Sequence, residues 1–161
     1  MADANAVVAA EIVRAWNANQ RVTMLLLSAL SEEDLDTRHG TGKTVRGGFG
    51  HIHDIRLMWL DSYPDLRVGL TKLGSHTTAT GPELGDQLQV SSSAISEMLT
   101  RAAGEGRVTG SLGPVPFLAY LVAHEAHHRA FALATLKFCG RRILTALSEQ
   151  QWNEWRKEGT T

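Results

Sequence analysis

One stretch, PVPFLAYLVAHEAHHRAFALATLKFCG from Pro114 to Gly140, limits what this chain can fold into. Phe117, Leu121, His124, His128, Phe131, Thr135 and Phe138 succeed one another at intervals of four, three, four, three, four and three. That is the seam of a long helix packed among other helices. Two seam positions are histidines, where a packed interior favours Leu or Ile, and imidazoles taken out of water need partners. A metal ion is a partner that suits both.

The rest of the chain must supply what that helix packs against. Its 161 residues are about the size of one ordinary domain, and a single domain spanning 1–161 is expected. With 43% hydrophobic and 20% charged residues the composition is globular, and a formal net charge of -1 leaves no basic footprint for nucleic acid. The N-terminal MADANAVVAAEIVRAW has no basic leader region, and no apolar run reaches the roughly 18 residues of a membrane span. The lone cysteine, Cys139, cannot form an internal disulfide and reads as a buried small hydrophobe, not a nucleophile. These absences point to a cytoplasmic protein with no nucleic-acid or membrane partner.

Helical periodicity recurs along the chain. A first helix is expected from Ala4 to Leu30, with Val8, Ile12, Ala15, Trp16, Leu26 and Leu30 near one face. Asn19 and Thr23 interrupt that face, either as satisfied core polar groups, which the pattern favours, or as the lining of a cavity. With Trp16 they are the candidates for facing a substrate pocket. SEEDL and HGTGKT read as turn and loop. A second helix is expected from Thr44 to Tyr63, ended by Pro64, with Val45, Phe49, Ile52, Ile55 and Trp59 inward. Gly47, Gly48 and Gly50 weaken its first turns, so the segment is held by tertiary contacts or admits another backbone or a ligand. Asp65 to Gly81 reads as a long connection. Pro82 opens a third helix with Leu84, Leu88, Ser91, Ile95 and Met98 on one side, and LSEQQWNEWRKEG forms a short tail helix whose Trp152 and Trp155 cover an end or edge of the fold. No strand run is long enough for a sheet. The expected class is all-α.

The histidines carry the chemistry. His124 and His128 lie one turn apart on one face, so they either bind one ion together or form a hydrogen-bonded core pair. His127 points about 100° away and reads as a flanking residue. HEAHH also matches the HExxH pattern of zinc proteases, in which the Glu is the general base. Those enzymes need a third ligand further on and a sheet beside the helix; here no histidine follows His128, and only Glu149 and Glu154 remain. Glu125 then reads as a surface carboxylate or one that supports a ligand from behind. His51 and His53 on the second helix point about 200° apart, so at most one of them joins the site.

GHIHDIRLMWL followed by HEAHHRAFALATLKFCG resembles the DinB/YfiT family of small metal-binding four-helix bundles. In that family a His-x-x-Asp/Glu follows a small-residue turn and a later His-x-x-x-His-Arg completes the ligand set. The resemblance maps the first motif onto His51 and Asp54, and the second onto His124, His128 and Arg129. Trp59 matches a tryptophan often found further down the second helix. Arg129, Ala130 and Phe131 stand where many members have Arg-Gly-Gln, so a role tied to that Gln does not carry over. The resemblance implies a four-helix bundle with an additional short C-terminal helix, and a three-His site for zinc, nickel or iron with coordination positions open to water or substrate. An ion there would lower the pKa of a bound water or thiol. Asp54 or Glu125 would orient a ligand histidine from behind it. The activity implied is that of a metal-dependent thiol S-transferase acting with a low-molecular-weight thiol on a small-molecule substrate. The alternatives are a metal-dependent hydrolase and a non-catalytic, stress-related metal-binding or dimerising module. A homodimer is expected, as relatives often pair and two-fold dimers are the commonest oligomers.

Overall fold

Helix starts are set by local chemistry. Thr44 and Thr80 sit in extended backbone and accept the amides of Gly47 and Glu83 on their side chains, and the Glu83 carboxylate accepts the Thr80 amide, completing a capping box at Thr80. In a computed structural model describing residues 4–141 and 145–157, the helices are α1 (Ala4–Ser28), α2 (Glu32–Leu35), α3 (Val45–Leu60), α4 (Pro64–Arg67), α5 (Gly81–Glu105), α6 (Pro114–Phe138) and α7 (Thr145–Lys157). Among the described residues there is no strand, so the fold is all-α. No described helix is long and apolar enough to cross a membrane.

Two local expectations are corrected. SEED is not wholly loop: Ser31 caps α2 through a capping box with Asp34. Pro64 does not end the second helix, which already stops at Leu60; it occupies the first turn of α4, where a missing amide hydrogen costs nothing. Gly140 adopts φ +73°, and Arg141 and Gly140 donate to Leu136 and Lys137, closing α6 in a Schellman motif.

The four long helices hold one another. α1 and α3 each pack against both α5 and α6, and α7 lies against α1. Their apolar residues form two clusters. One holds Ile12, Trp16, Leu60, Ile95, Met98, Phe117 and Leu121; the other holds Leu26, Phe49, Ile52, Leu88, Ala132 and Leu136. Between the two clusters every long helix turns polar: Asn19, Gln20 and Thr23 on α1, Arg56 on α3, Ser91 and Ser92 on α5, Glu125 and Arg129 on α6, all buried.

That layer rotates α6 from the expected seam. Its buried line is Phe117, Leu121, Glu125, Arg129, Ala132 and Leu136, whereas Phe131 and Phe138 are exposed. Thr135 is buried as expected. The seam fails at Glu125 because a carboxylate can enter the core once cations face it. Here Arg56 and Arg129 do so. On α3 the same exchange puts Arg56 inside and leaves Ile55 half-buried. Cys139, expected to be buried, is exposed at the C-cap of α6, where the chain leaves the core.

Candidate metal centre

The segment after α4 explains the glycines that precede His51. A Cβ on Gly47 would lie 2.3 Å from the Ser75 carbonyl oxygen, and one on Gly50 would lie 2.9 Å from that of Gly74. The connection therefore rests directly on the first turns of α3. Asp54 fastens it, accepting the amides of Leu73 at 2.8 Å and Gly74 at 2.9 Å. The carboxylate expected to orient a ligand thus has the loop backbone as its partner. His53, fully buried on the neighbouring face, lies with Nδ1 3.1 Å from the Gln87 carbonyl oxygen and Nε2 3.0 Å from that of Thr71. Its ring belongs to packing, and burial pushes its pKa down.

His51 emerges on the other side of α3 and meets α6. Its ring centroid is 4.7 Å from that of His128 and 5.6 Å from that of His124, and the latter two are 4.6 Å apart. One ring nitrogen from each histidine falls within 4.8 Å of the others, and all three residues are half-buried. The Nε2 atoms of His124 and His128 are 3.2 Å apart. Nitrogens sharing an ion at about 2.0–2.1 Å in tetrahedral geometry stand about 3.3 Å from one another. The pair already has about that spacing, and a ring nitrogen of His51 lies within 4.8 Å of both.

Protonation favours the same use. Burial is the first cause lowering the pKa of all three rings, and the charge of Lys43 adds to it at each. His128, also beside His124 and His51, is lowered to about 4. At neutral pH the rings are uncharged and hold lone pairs. Neutral imidazole suits nickel, zinc and ferrous ions alike as a ligand type, with affinities that differ along the series. The donors present fit a divalent ion with coordination positions left open.

The surroundings hold two features that sequence patterns did not bring forward. Tyr120 stacks on His124 at 5.9 Å and meets Trp59 edge-on at 5.5 Å, building an aromatic wall beside the histidines. Its position four residues before His124 was the available signal. Behind them, Glu125 is 1% exposed, which corrects the surface reading. Arg56 grips it through Nε at 2.7 Å and Nη2 at 3.0 Å, and Asn19 donates to it at 2.7 Å. Arg56 also reaches the Leu88 carbonyl oxygen and Gln20, with its guanidinium 4.9 Å from the centre of the Trp16 ring. Asn19 and Thr23 are buried core polar groups bonded to this ion pair, the reading the pattern favoured, and neither they nor the fully buried Trp16 face a pocket as the alternative had them do. His127 is exposed and flanks the site, as expected from its angle.

All-helical packing and three clustered imidazoles define a helical protein with a site able to hold a metal ion. The chain belongs to the DinB family, whose family model matches residues 1–157. No curated protein and no solved structure matches it.

Proposed function

We propose that this chain is a divalent-metal-dependent enzyme of the DinB family, a thiol S-transferase that joins a low-molecular-weight thiol to a small electrophile. The observation that carries this reading is the set of three neutral histidines, His51, His124 and His128, converging within 4.8 Å on a half-buried face. A zinc, nickel or ferrous ion held by them would act as a Lewis acid that lowers the pKa of a thiol placed beside it. We read the four long helices as a four-helix bundle, residues 1–161 as one domain, and the working form as a homodimer in the cytoplasm. No role for nucleic acid or membrane enters this reading.

The chain's own residues have distinct tasks. The histidines orient the ion, and Arg56 with Glu125 locks α3 to α6 so that ligands from two helices keep their spacing. Tyr120 and Trp59 offer a flat apolar surface for the electrophile. Lys43, close enough to depress all three imidazoles, favours an anionic sulfur. The sulfur comes from outside. Cys139, the chain's one cysteine, lies eleven residues past His128, about 16 Å along the helix. In the transfer a sulfur–carbon bond forms, the thiol proton passes to solvent, and the leaving group departs with its electron pair.

The test is a screen of metal-loaded protein with bacillithiol, mycothiol or glutathione and a haloaromatic electrophile. Thiol-dependent turnover that His51→Ala abolishes is the expected result. Turnover of an ester without thiol would support the hydrolase instead. Stoichiometric metal binding with no turnover would support the non-catalytic module.

A further inference from the structure

The face of α6 opposite the histidines meets α1 and α7 across a cleft of about 460 Å3. Positions 122, 126, 130 and 133 lie about a third to half a turn round the helix from His124 and His128, and Arg129 lies about 100° from His128 and about 140° from His124. Val22 from α1, Val122 and Leu133 from α6, and Trp152 and Trp155 from α7 give the cleft apolar walls, and Trp152 is 63% exposed. Of the residues that line it, only Arg129 is charged.

Arg129 is 7% exposed, yet its charge is not balanced. Thr23 Oγ1 at 2.7 Å and Glu125 Oε2 at 3.7 Å both engage the same nitrogen, Nη1. Among the described residues no partner falls to Nε or Nη2. Glu125 is already committed to Arg56 through both oxygens, so two buried guanidinium groups share one carboxylate. Glu154 on α7 is taken up by Arg21 and Lys157, and the cleft's other polar residues, Ser148 and Gln151, are neutral. A surplus cation whose unpaired nitrogens reach solvent at the edge of an apolar cleft is placed to take an anion.

We infer that this cleft binds a small amphipathic carboxylate, its acid group paired with Arg129 and its apolar body held between α6 and the tryptophans of α7. A guanidinium with two vacant donors suits the paired oxygens of a carboxylate. The volume lies in the range of small-molecule sites, which are largely apolar with few polar anchors. The site does not depend on the metal reading, because none of the three histidines lines the cleft.

Calorimetric titration of the full chain with octanoate tests it. Saturable one-to-one binding is expected, with octanamide, the neutral isostere, about tenfold weaker or worse. Arg129→Gln disturbs the core pair, so Ala130→Trp, which fills the cleft from an exposed position, is the decisive variant; it should fold and lose octanoate. His51→Ala should bind octanoate as the unaltered protein does. The inference is overturned by absence of saturable binding, by equal affinity for octanamide, or by binding that survives Ala130→Trp. It is also overturned by binding lost in His51→Ala, which would place the carboxylate at the histidines. A dimer in sedimentation that Ala130→Trp dissociates, with no octanoate bound, would assign the cleft to a second copy.

Discussion

His124 and Glu125 are neighbours in sequence, yet they stand in opposite circumstances. Glu125 is sealed in the core with each oxygen occupied by Arg56, and Asn19 and Thr23 add to one of them. His124 is half-buried beside two other imidazoles, their nitrogens turned toward a common point. Both are polar groups taken partly or wholly from water. The first has its partners within the chain and fixes how four helices meet; the second has its Nε2 against that of His128 at 3.2 Å, a contact that a shared ion would replace. A saturated polar cluster holds shape, whereas an unsaturated one is available for a ligand.

The sharpest way to break this comparison is to remove each member. Glu125→Ala leaves Arg56 and Arg129 buried without a counter-charge and should destabilise the fold by about 3–5 kcal/mol in urea unfolding. His124→Ala removes a half-buried ring with no bond to the core and should cost about 1 kcal/mol or less. Similar losses for the two would mean that the histidines belong to the structural network after all.

Metal stabilisation reverses the ranking. At a free zinc or nickel concentration one hundred times the dissociation constant, the unaltered protein should gain about 2.7 kcal/mol. His128→Ala should lose that gain, and Glu125→Gln, if folded, should keep it. Thermal melts with and without the ion check this. Protons compete only weakly in the folded state, where His128 is lowered to about 4 by burial and the neighbouring rings. An unfolded chain takes up those protons near pH 6.5. Metal-free protein should therefore be fully stable, as far as these rings are concerned, above about pH 6.5, and lose that contribution as the pH falls towards about 4. Denaturant midpoints measured across that window should fall with pH, and less steeply in His128→Ala.

Much of this was legible in the residues, for identifiable reasons. Helix spans followed from periodicity and from end signals such as Pro82 in the first turn of α5, because those signals are local. The three histidines were legible because i, i+4 spacing fixes two, and the family motif indicates the third. What sequence could not place was the polar layer. Glu125 and Arg56 enter the core only because they meet, and their separation in the chain hides the meeting. Counting apolar residues alone therefore placed α6 with Phe131 inside and Glu125 out. The same long-range contact draws Trp16 to the ion pair and supplies the partner that Asn19 and Thr23 needed as core polar groups. Arg46, buried and bonded to Asp36 and the Ala79 carbonyl oxygen, was invisible for the same reason.

The smallest expected effect brings the comparison down to two adjacent glycines. Gly47 faces the connecting segment, where an added Cβ would fall 2.3 Å from the Ser75 carbonyl oxygen, against backbone anchored nearby by Asp54. That backbone cannot swing aside as a side chain would, so Gly47→Ala should cost about 1–3 kcal/mol. A Cβ on Gly48 meets nothing within 4 Å. There the only change is lost freedom in the unfolded chain and better helix propensity, so Gly48→Ala should stabilise by about 0.5–1 kcal/mol. Opposite signs from the same substitution one residue apart would show that the turns leading to His51 are held from one side only. If Gly48→Ala instead destabilised, the space beside it would be occupied in solution, and a ligand or a second copy would have to be sought on the histidine-bearing helix.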